Sequence, residues 1–350
     1  PITNAGLIPM FRPTAPLNFL AISSRVASEM GFKEALSGVY SLMTKEGLYG
    51  KELTFGWLGV LGQEWTSVPY NYEDDQKYDF ENAASEVRID SVWTGLYNAI
   101  ANANKLLKEL EGKENLFSGD NYSIIKGEVL ALRAYLHFDL LRIFGASCAV
   151  GMERIAIPYV TEYAPTIFPQ EKVGDFVGKV LKDLQDAAKC LENDPILTGR
   201  TVSEIDDNGY LMNRQVHLNY YAVKGLMARV YLYKGDYANA EVCAKEVIGS
   251  GCFEWVKQEN LTNESVADLT FSTEHLFALN IVTLGNIVDK YLDGGNNSFA
   301  LEESRLSEYY GSSYDYRYLY LFKTGVGMSN TLRYLKKYDQ LESVSWAQSY

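Results

Sequence analysis

The chain has 350 residues and a net charge of −13, from 32 Lys and Arg against 45 Asp and Glu; hydrophobic residues make up 47% and charged residues 22%. A chain of this length buries a substantial core without disulfide staples, as one large domain or two ordinary ones. The acidic balance, with no basic cluster to track phosphates, argues against nucleic acid and against an anionic membrane surface as partner.

The first 17 residues, with Pro9, Pro13 and Pro16, read as an extended arm. From Phe32, the positions Ala35, Leu36, Val39, Tyr40 and Met43 share one helical face. YGKELTFGWLGVLGQEW follows and reads as a second helix, with Gly56, Gly59 and Gly62 permitting close packing. It is not a phosphate-binding fingerprint, because no strand precedes it and the first glycine step is too long. Residues 66–83 carry turn formers, acids and aromatics without period, and read as a loop. A long helix follows with Val92, Leu96, Ile100, Ala103 and Leu107 inward and Gly112 at its end; another spans 122–145, and a third runs from about Val173 to Leu191. After Gly251 helical periodicity fades, with HLFALNIV as a short strand and LRYLKKY as another ordered piece.

The segment NYYAVKGLMARVYLYKGDYANAEVCAKEVIGSG has the spacing of a tetratricopeptide hairpin. Gly235 stands where the first helix must end, Ala228 and Ala240 where the two helices touch, and Tyr231 and Tyr237 in packing positions. The fold class expected is therefore mostly α, a tetratricopeptide-like helical-hairpin array with a loop-rich portion and minor short strands. On fold alone, a protein-interaction scaffold is the default reading.

Three segments together resemble the SusD/RagB family of outer-membrane nutrient-uptake lipoproteins, which are starch-utilisation-system-like. LALRAYLHFDLLRIFG with IPYV is similar to the family's RAxxxFDLxRxFG…xPxV segment. WTGLYNAIANANKLL resembles its W…LYxAIxxANxLL helix, and the hairpin resembles its AxxxLARVYLYxGDYxxAxxxAxxVI unit. Shorter agreement continues in STEHLFALNI and in the YDYR and KKY pieces, so the ordered resemblance runs from about Phe32 to Tyr338. It implies one SusD-like domain over residues 1–350, with a helical-repeat portion at roughly 18–250 and a loop-rich, ligand-side portion at roughly 251–350. Members carry a further IRLAEMYLxxAEA-type helix and a lipidated N-terminal cysteine. Neither is in this sequence, so the family's C-terminal helical segment is expected to be missing.

The resemblance implies a cell-surface glycan-binding lipoprotein of the outer membrane that captures oligosaccharide and delivers it to a SusC-like, TonB-dependent transporter. Membrane attachment would come only through the N-terminal lipid, which agrees with the lack of any spanning helix. No enzymatic activity, cofactor or metal is implied. A scaffold without a small ligand, a peptide-binding uptake protein and a glycosidase are the alternatives.

The residues nominate ligand contacts independently. A sugar stacks its C–H face on an aromatic plane and needs forked polar partners, and loops present both better than helix interiors do. Among 26 Tyr and 5 Trp, two stretches fit: Trp65, Tyr70, Asn71, Tyr72 and Tyr78 beside Asp74 and Asp75, then Tyr291, Asp293, Asn296, Asn297 and Phe299. The acids Asp74, Asp75, Glu302 and Glu303 could be imagined as a glycosidase pair, but adjacent loop acids are usually solvated. His137, His217 and His275 stand far apart without HExxH, and DGGNN lacks the spaced oxygens of a calcium loop. Cys148, Cys190, Cys243 and Cys252 have no CxxC spacing and read as free thiols or at most one bridge.

Overall fold

The computed structural model describes residues 27–199, 209–295, 297–312, 314–324 and 331–339. In chain order the longer helices are α1 (Glu29–Met43), α2 (Trp57–Leu61), α3 (Ala83–Leu110), α4 (Asn121–Phe144), α5 (Val173–Cys190), α6 (Tyr220–Lys234) and α7 (Tyr237–Ile248). Then come α8 (Leu284–Tyr291), β1 (Leu301–Glu302), α9 (Glu303–Tyr310), α10 (Tyr316–Tyr320), β2 (Phe322–Thr324) and β3 (Leu332–Leu335). The protein is mostly helical. Its described strands form one antiparallel sheet in the order β1-β3-β2, with Leu301 opposite Arg333 and Phe322 opposite Leu335.

The chain divides into two compact units. The first comprises Pro1–Val39, Tyr97–Tyr210 and Val223–Ala244; the second comprises Tyr40–Leu96, Leu211–Ala222 and Lys245–Tyr350.

The first unit is built on α4 packed against α5. Buried residues occur on every side of α4, as expected of a central helix, whereas α5 buries one face through Phe176, Val177, Val180, Leu184 and Ala187. Gly127 lets the chain approach closely: a Cβ there would stand 2.8 Å from Leu191 Cγ. In the α6–α7 hairpin Gly235 takes φ +84°, open to glycine without strain, and Asp236 accepts from Asn239 N–H at the start of α7. Tyr231 is half-buried and its hydroxyl accepts from Gln185 Nε2 at 3.3 Å. Tyr237, expected to pack, is instead 71% exposed at the first residue of α7.

The segments that carry the family resemblance meet in this unit. Arg133 Nε and Nη2 each reach Asp183 at 2.7 Å, and Nη1 donates to Asn104 Oδ1 at 3.1 Å. Tyr159 donates to Asp183 at 2.6 Å and stacks on His137 with ring centroids 4.0 Å apart. Val160 N–H donates to His137 Nε2 at 2.9 Å, so Nδ1 carries the proton and donates to Arg133 O at 2.9 Å. Asn104 donates to Val160 O, and Tyr97 to Pro158 O. His137 is thus a neutral, fully bonded core residue, its pKa pushed down to about 3 by burial.

In the second unit, residues 44–56 form a succession of turns, and of the stretch 49–65 that the sequence reads as helix only Trp57–Leu61 is helical. The reason is a buried charge network that periodicity does not reveal. Lys51 contacts Glu46 at 2.8 Å and Glu52 at 3.1 Å, and Glu52 accepts from Tyr72 O–H at 2.7 Å and from Trp57 N–H at 3.0 Å. Arg88 pairs with the fully buried Asp75, which also accepts from Trp57 Nε1 at 3.1 Å. Burial works against the Lys51 charge, but Glu52, Tyr72 and Glu46 together outweigh it and raise the Lys51 pKa, so the ammonium persists. HLFALNIV is not a strand: Ala278 N–H donates to Gln215 O and Leu276 O accepts from the Asn219 side chain, leaving no ladder. All four cysteines are free thiols.

Candidate ligand cleft

Both stretches nominated from the sequence lie in the second unit, and the backbone joins them. Ser67 and Ala300 form an antiparallel bridge, with Ala300 O accepting from Thr66 N–H and Ser67 N–H at 3.0 Å each. Glu302 N–H donates to Thr66 Oγ1 at 2.6 Å. This seam sets two short walls facing each other across a cleft of about 440 Å³. One wall is Gln63, Trp65, Thr66 and Gln76; the other is Glu302, Ser304, Arg305 and Glu308, from the end of β1 and along α9.

The first wall is held rigidly. Gln63 Nε2 donates to Gln76 O at 2.9 Å, and Gln76 Nε2 returns a bond to Trp65 O at 2.9 Å. Trp65 keeps only an edge at the cleft, its Nε1–H donating to Phe55 O at 2.7 Å. A Cβ on Gly59 would lie 2.6 Å from that nitrogen, so the tight approach requires glycine. Gln63 and Tyr78 take φ of +56° and +60°, sparsely populated for non-glycine residues, a strain that persists where surroundings over-determine it. Here Tyr309 O–H donates to Gln63 O at 2.8 Å and Tyr78 O–H to Leu61 O at 3.0 Å. Arg305 lies over the Tyr309 ring at 5.3 Å and pairs with Glu308 at 2.7 Å.

The nominated residues separate by burial. Trp65 lines the cleft; Tyr70 (83% exposed), Asn71 and Tyr78 (55% exposed) lie on the outer side of the same loop. Tyr72 and Phe299 are fully inside, 5.1 Å apart, and Tyr291 stands 6.1 Å from Phe299. These three close the core beneath the cleft, and Tyr291 ends helix α8 instead of lying in a loop. Asn296 lies outside the described residues. Sequence reasoning passed over Gln63, Thr66, Gln76, Ser304, Arg305 and Glu308, because a polar helical run reads as a solvated face. The one available signal was Gln63 and Gln76 flanking the aromatic loop. Of the four loop acids, Asp75 is sequestered by Arg88 and Glu303 by Arg333 at 2.7 Å and Tyr318 at 3.1 Å. Among the described residues, no cluster of His, Cys, Asp or Glu is arranged to hold a metal ion, and no helix is long and apolar enough to cross a membrane.

A mostly helical chain with a tetratricopeptide-like hairpin is the class that these elements define. The chain belongs to the SusD-like family: the family model described as "Starch-binding associating with outer membrane" matches residues 19–232. Among solved structures, a SusD superfamily protein from Bacteroides thetaiotaomicron superposes with a TM-score of 0.70 at 20% identity, over 91% of this chain and 71% of that one. A putative sugar binding protein from Bacteroides vulgatus gives 0.66 at 22% identity, over 89% and 67%. A SusD-like carbohydrate binding protein from the same organism gives 0.65 at 15% identity, over 86% and 62%. No curated protein sequence matches the chain. At such identities the structural likeness establishes the fold.

Proposed function

We propose that the chain is a non-catalytic glycan-capture protein that holds an oligosaccharide in the Gln63–Glu308 cleft. As a lipid-anchored protein on the outer-membrane surface, it would hand the sugar to a TonB-dependent transporter. The observation that carries the reading is the convergence of a strained, aromatic-bearing loop with a polar helix at one cleft. Trp65 supplies an apolar edge there, and Gln63, Gln76, Ser304 and Glu302 supply polar groups. Tyr70, Asn71 and Tyr78 extend the contact surface along the loop for a longer chain. The family description and the sugar-binding name of a structural relative support the ligand class. The experiment is calorimetry of the full chain against a panel of oligosaccharides, with Trp65→Ala and Tyr78→Ala as variants. Binding that both substitutions leave unchanged would remove the site from this cleft.

A second reading is favoured by Leu232, Tyr237 and Val242, which are 59%, 71% and 63% exposed on the hairpin. Such an apolar surface suits a protein partner. A scaffold without its own ligand would show no calorimetric response to any glycan, yet would lose its partner on Leu232→Glu.

A further inference from the structure

The cleft has a hydrogen-bonding sense. An amide facing a carbonyl oxygen must present its N–H₂ there, so Gln63 and Gln76 have committed nitrogens to Gln76 O and Trp65 O. Gln63 spends its second N–H on Val60 O at 3.4 Å and keeps only its carbonyl oxygen for a ligand, while Gln76 keeps its carbonyl oxygen and one N–H. Thr66 Oγ1 is used twice within the protein, accepting from Glu302 N–H and donating to Ala300 O at 3.4 Å. Two carboxylates, Glu302 and Glu308, and one cation, Arg305, complete the charged lining. Arg305 is engaged by Glu308 and restrained over the Tyr309 ring. The lining is therefore rich in acceptors, poor in donors and negative by one formal charge.

We propose that this cleft selects glycans by charge: it admits uncharged, hydroxyl-rich chains and excludes uronate-bearing or sulfated ones. Glu302 and Glu308 are the excluding groups, and Glu308 holds Arg305 out of service. The proposal rests on reading the cleft as a glycan site. Sugar hydroxyls donate to the Gln63 and Gln76 oxygens and to Glu302. A uronate carboxylate, which only accepts, would meet acceptors of its own sign and find Arg305 already paired. Glu308 is thus a specificity-determining residue that acts through Arg305.

The test is calorimetry of the full chain at low salt against maltohexaose, cellohexaose and laminarihexaose, and against galacturonate and guluronate hexamers. At least one neutral hexamer is expected to bind, with both uronates at least about tenfold weaker, the size of one lost charge-assisted hydrogen bond. Glu308→Gln releases the guanidinium and should raise the ratio of uronate to neutral affinity by about tenfold. Arg305→Gln combined with Glu308→Gln should abolish that gain, and Glu302→Gln, at an exposed position, should raise the ratio by a smaller factor. Uronate binding equal to the best neutral hexamer in the unsubstituted protein overturns the charge selection while leaving the glycan site standing. So does an unchanged ratio in a folded Glu308→Gln protein. Silence from every hexamer overturns both.

Discussion

Arg133 and Asp183 form a two-pronged ion pair, 2.7 Å at each prong, inside the first unit. Arg133 comes from the RAYLHFDLL stretch of α4 and Asp183 from the buried face of α5, so the pair clamps the two helices that make that unit's core. Tyr159, Asn104 and the Thr161 carbonyl supply further hydrogen bonds to the pair. Removing one partner leaves an uncompensated buried charge. Asp183→Ala and Arg133→Met should each lower the free energy of unfolding by about 3–5 kcal/mol, read from urea denaturation. Arg133→Lys should not rescue, because an ammonium cannot span both carboxylate oxygens.

His137 gives the fold a defined acid sensitivity. Its pKa falls from the ordinary 6.5 to about 3 on folding, driven by burial, so the folded protein keeps it neutral while the unfolded chain binds a proton below pH 6.5. Stability is therefore insensitive to this group above pH 6.5. It falls by about 1.4 kcal/mol per pH unit as pH drops from 6.5 toward 3. Urea midpoints at pH 7.5, 6 and 5 check the slope. His137→Gln should be less stable at pH 7.5 yet show a shallower decline between pH 6.5 and 5.

Two glycines with opposite surroundings make a paired test. A Cβ at Gly59 collides with Trp65 Nε1, whereas one at Gly38, exposed within α1, meets nothing within 4 Å. Gly59→Ala should destabilise by about 1–3 kcal/mol through displacement of the indole, and should weaken whatever the cleft binds. Gly38→Ala should stabilise by up to about 1 kcal/mol through helix propensity. Thermal denaturation of both variants decides.

The seam between the two cleft walls depends on the Thr66 hydroxyl. Thr66→Val keeps the shape and removes the acceptor for Glu302 N–H, leaving that edge of β1 free to shift. The expected cost in stability is about 1–2 kcal/mol. Ligand affinity should fall, since Glu302 and α9 follow directly after the broken bond; calorimetry beside thermal denaturation separates the two effects.

The long helices and the α6–α7 hairpin are legible in the sequence, because apolar residues recur at the helical period and Gly112, Gly145 and Gly235 mark their ends. Residues 49–65 are not legible. Their apolar, glycine-rich run imitates a helix, while the conformation is fixed by Lys51, Glu52 and Asp75, charged residues that a sequence reading assigns to solvent. The aromatic loop announces itself through Trp65 and Tyr78, but nothing local distinguishes Trp65 at the cleft from Tyr72 in the core, seven residues on. The facing wall, Glu302 to Glu308, is hidden for a different reason. It gains meaning only when the Ser67–Ala300 bridge brings it opposite residues more than 200 positions earlier.

The bonded circle of Asn104, Arg133, His137, Tyr159 and Asp183 lies wholly in the unit that does not contain the cleft. The residues by which such a chain is recognised as kin are therefore a signature of ancestry and say nothing of diet. On the proposed reading of the cleft, Gln63, Glu302 or Glu308 can be rewritten without disturbing that signature, so ligand choice can diverge while kinship stays legible.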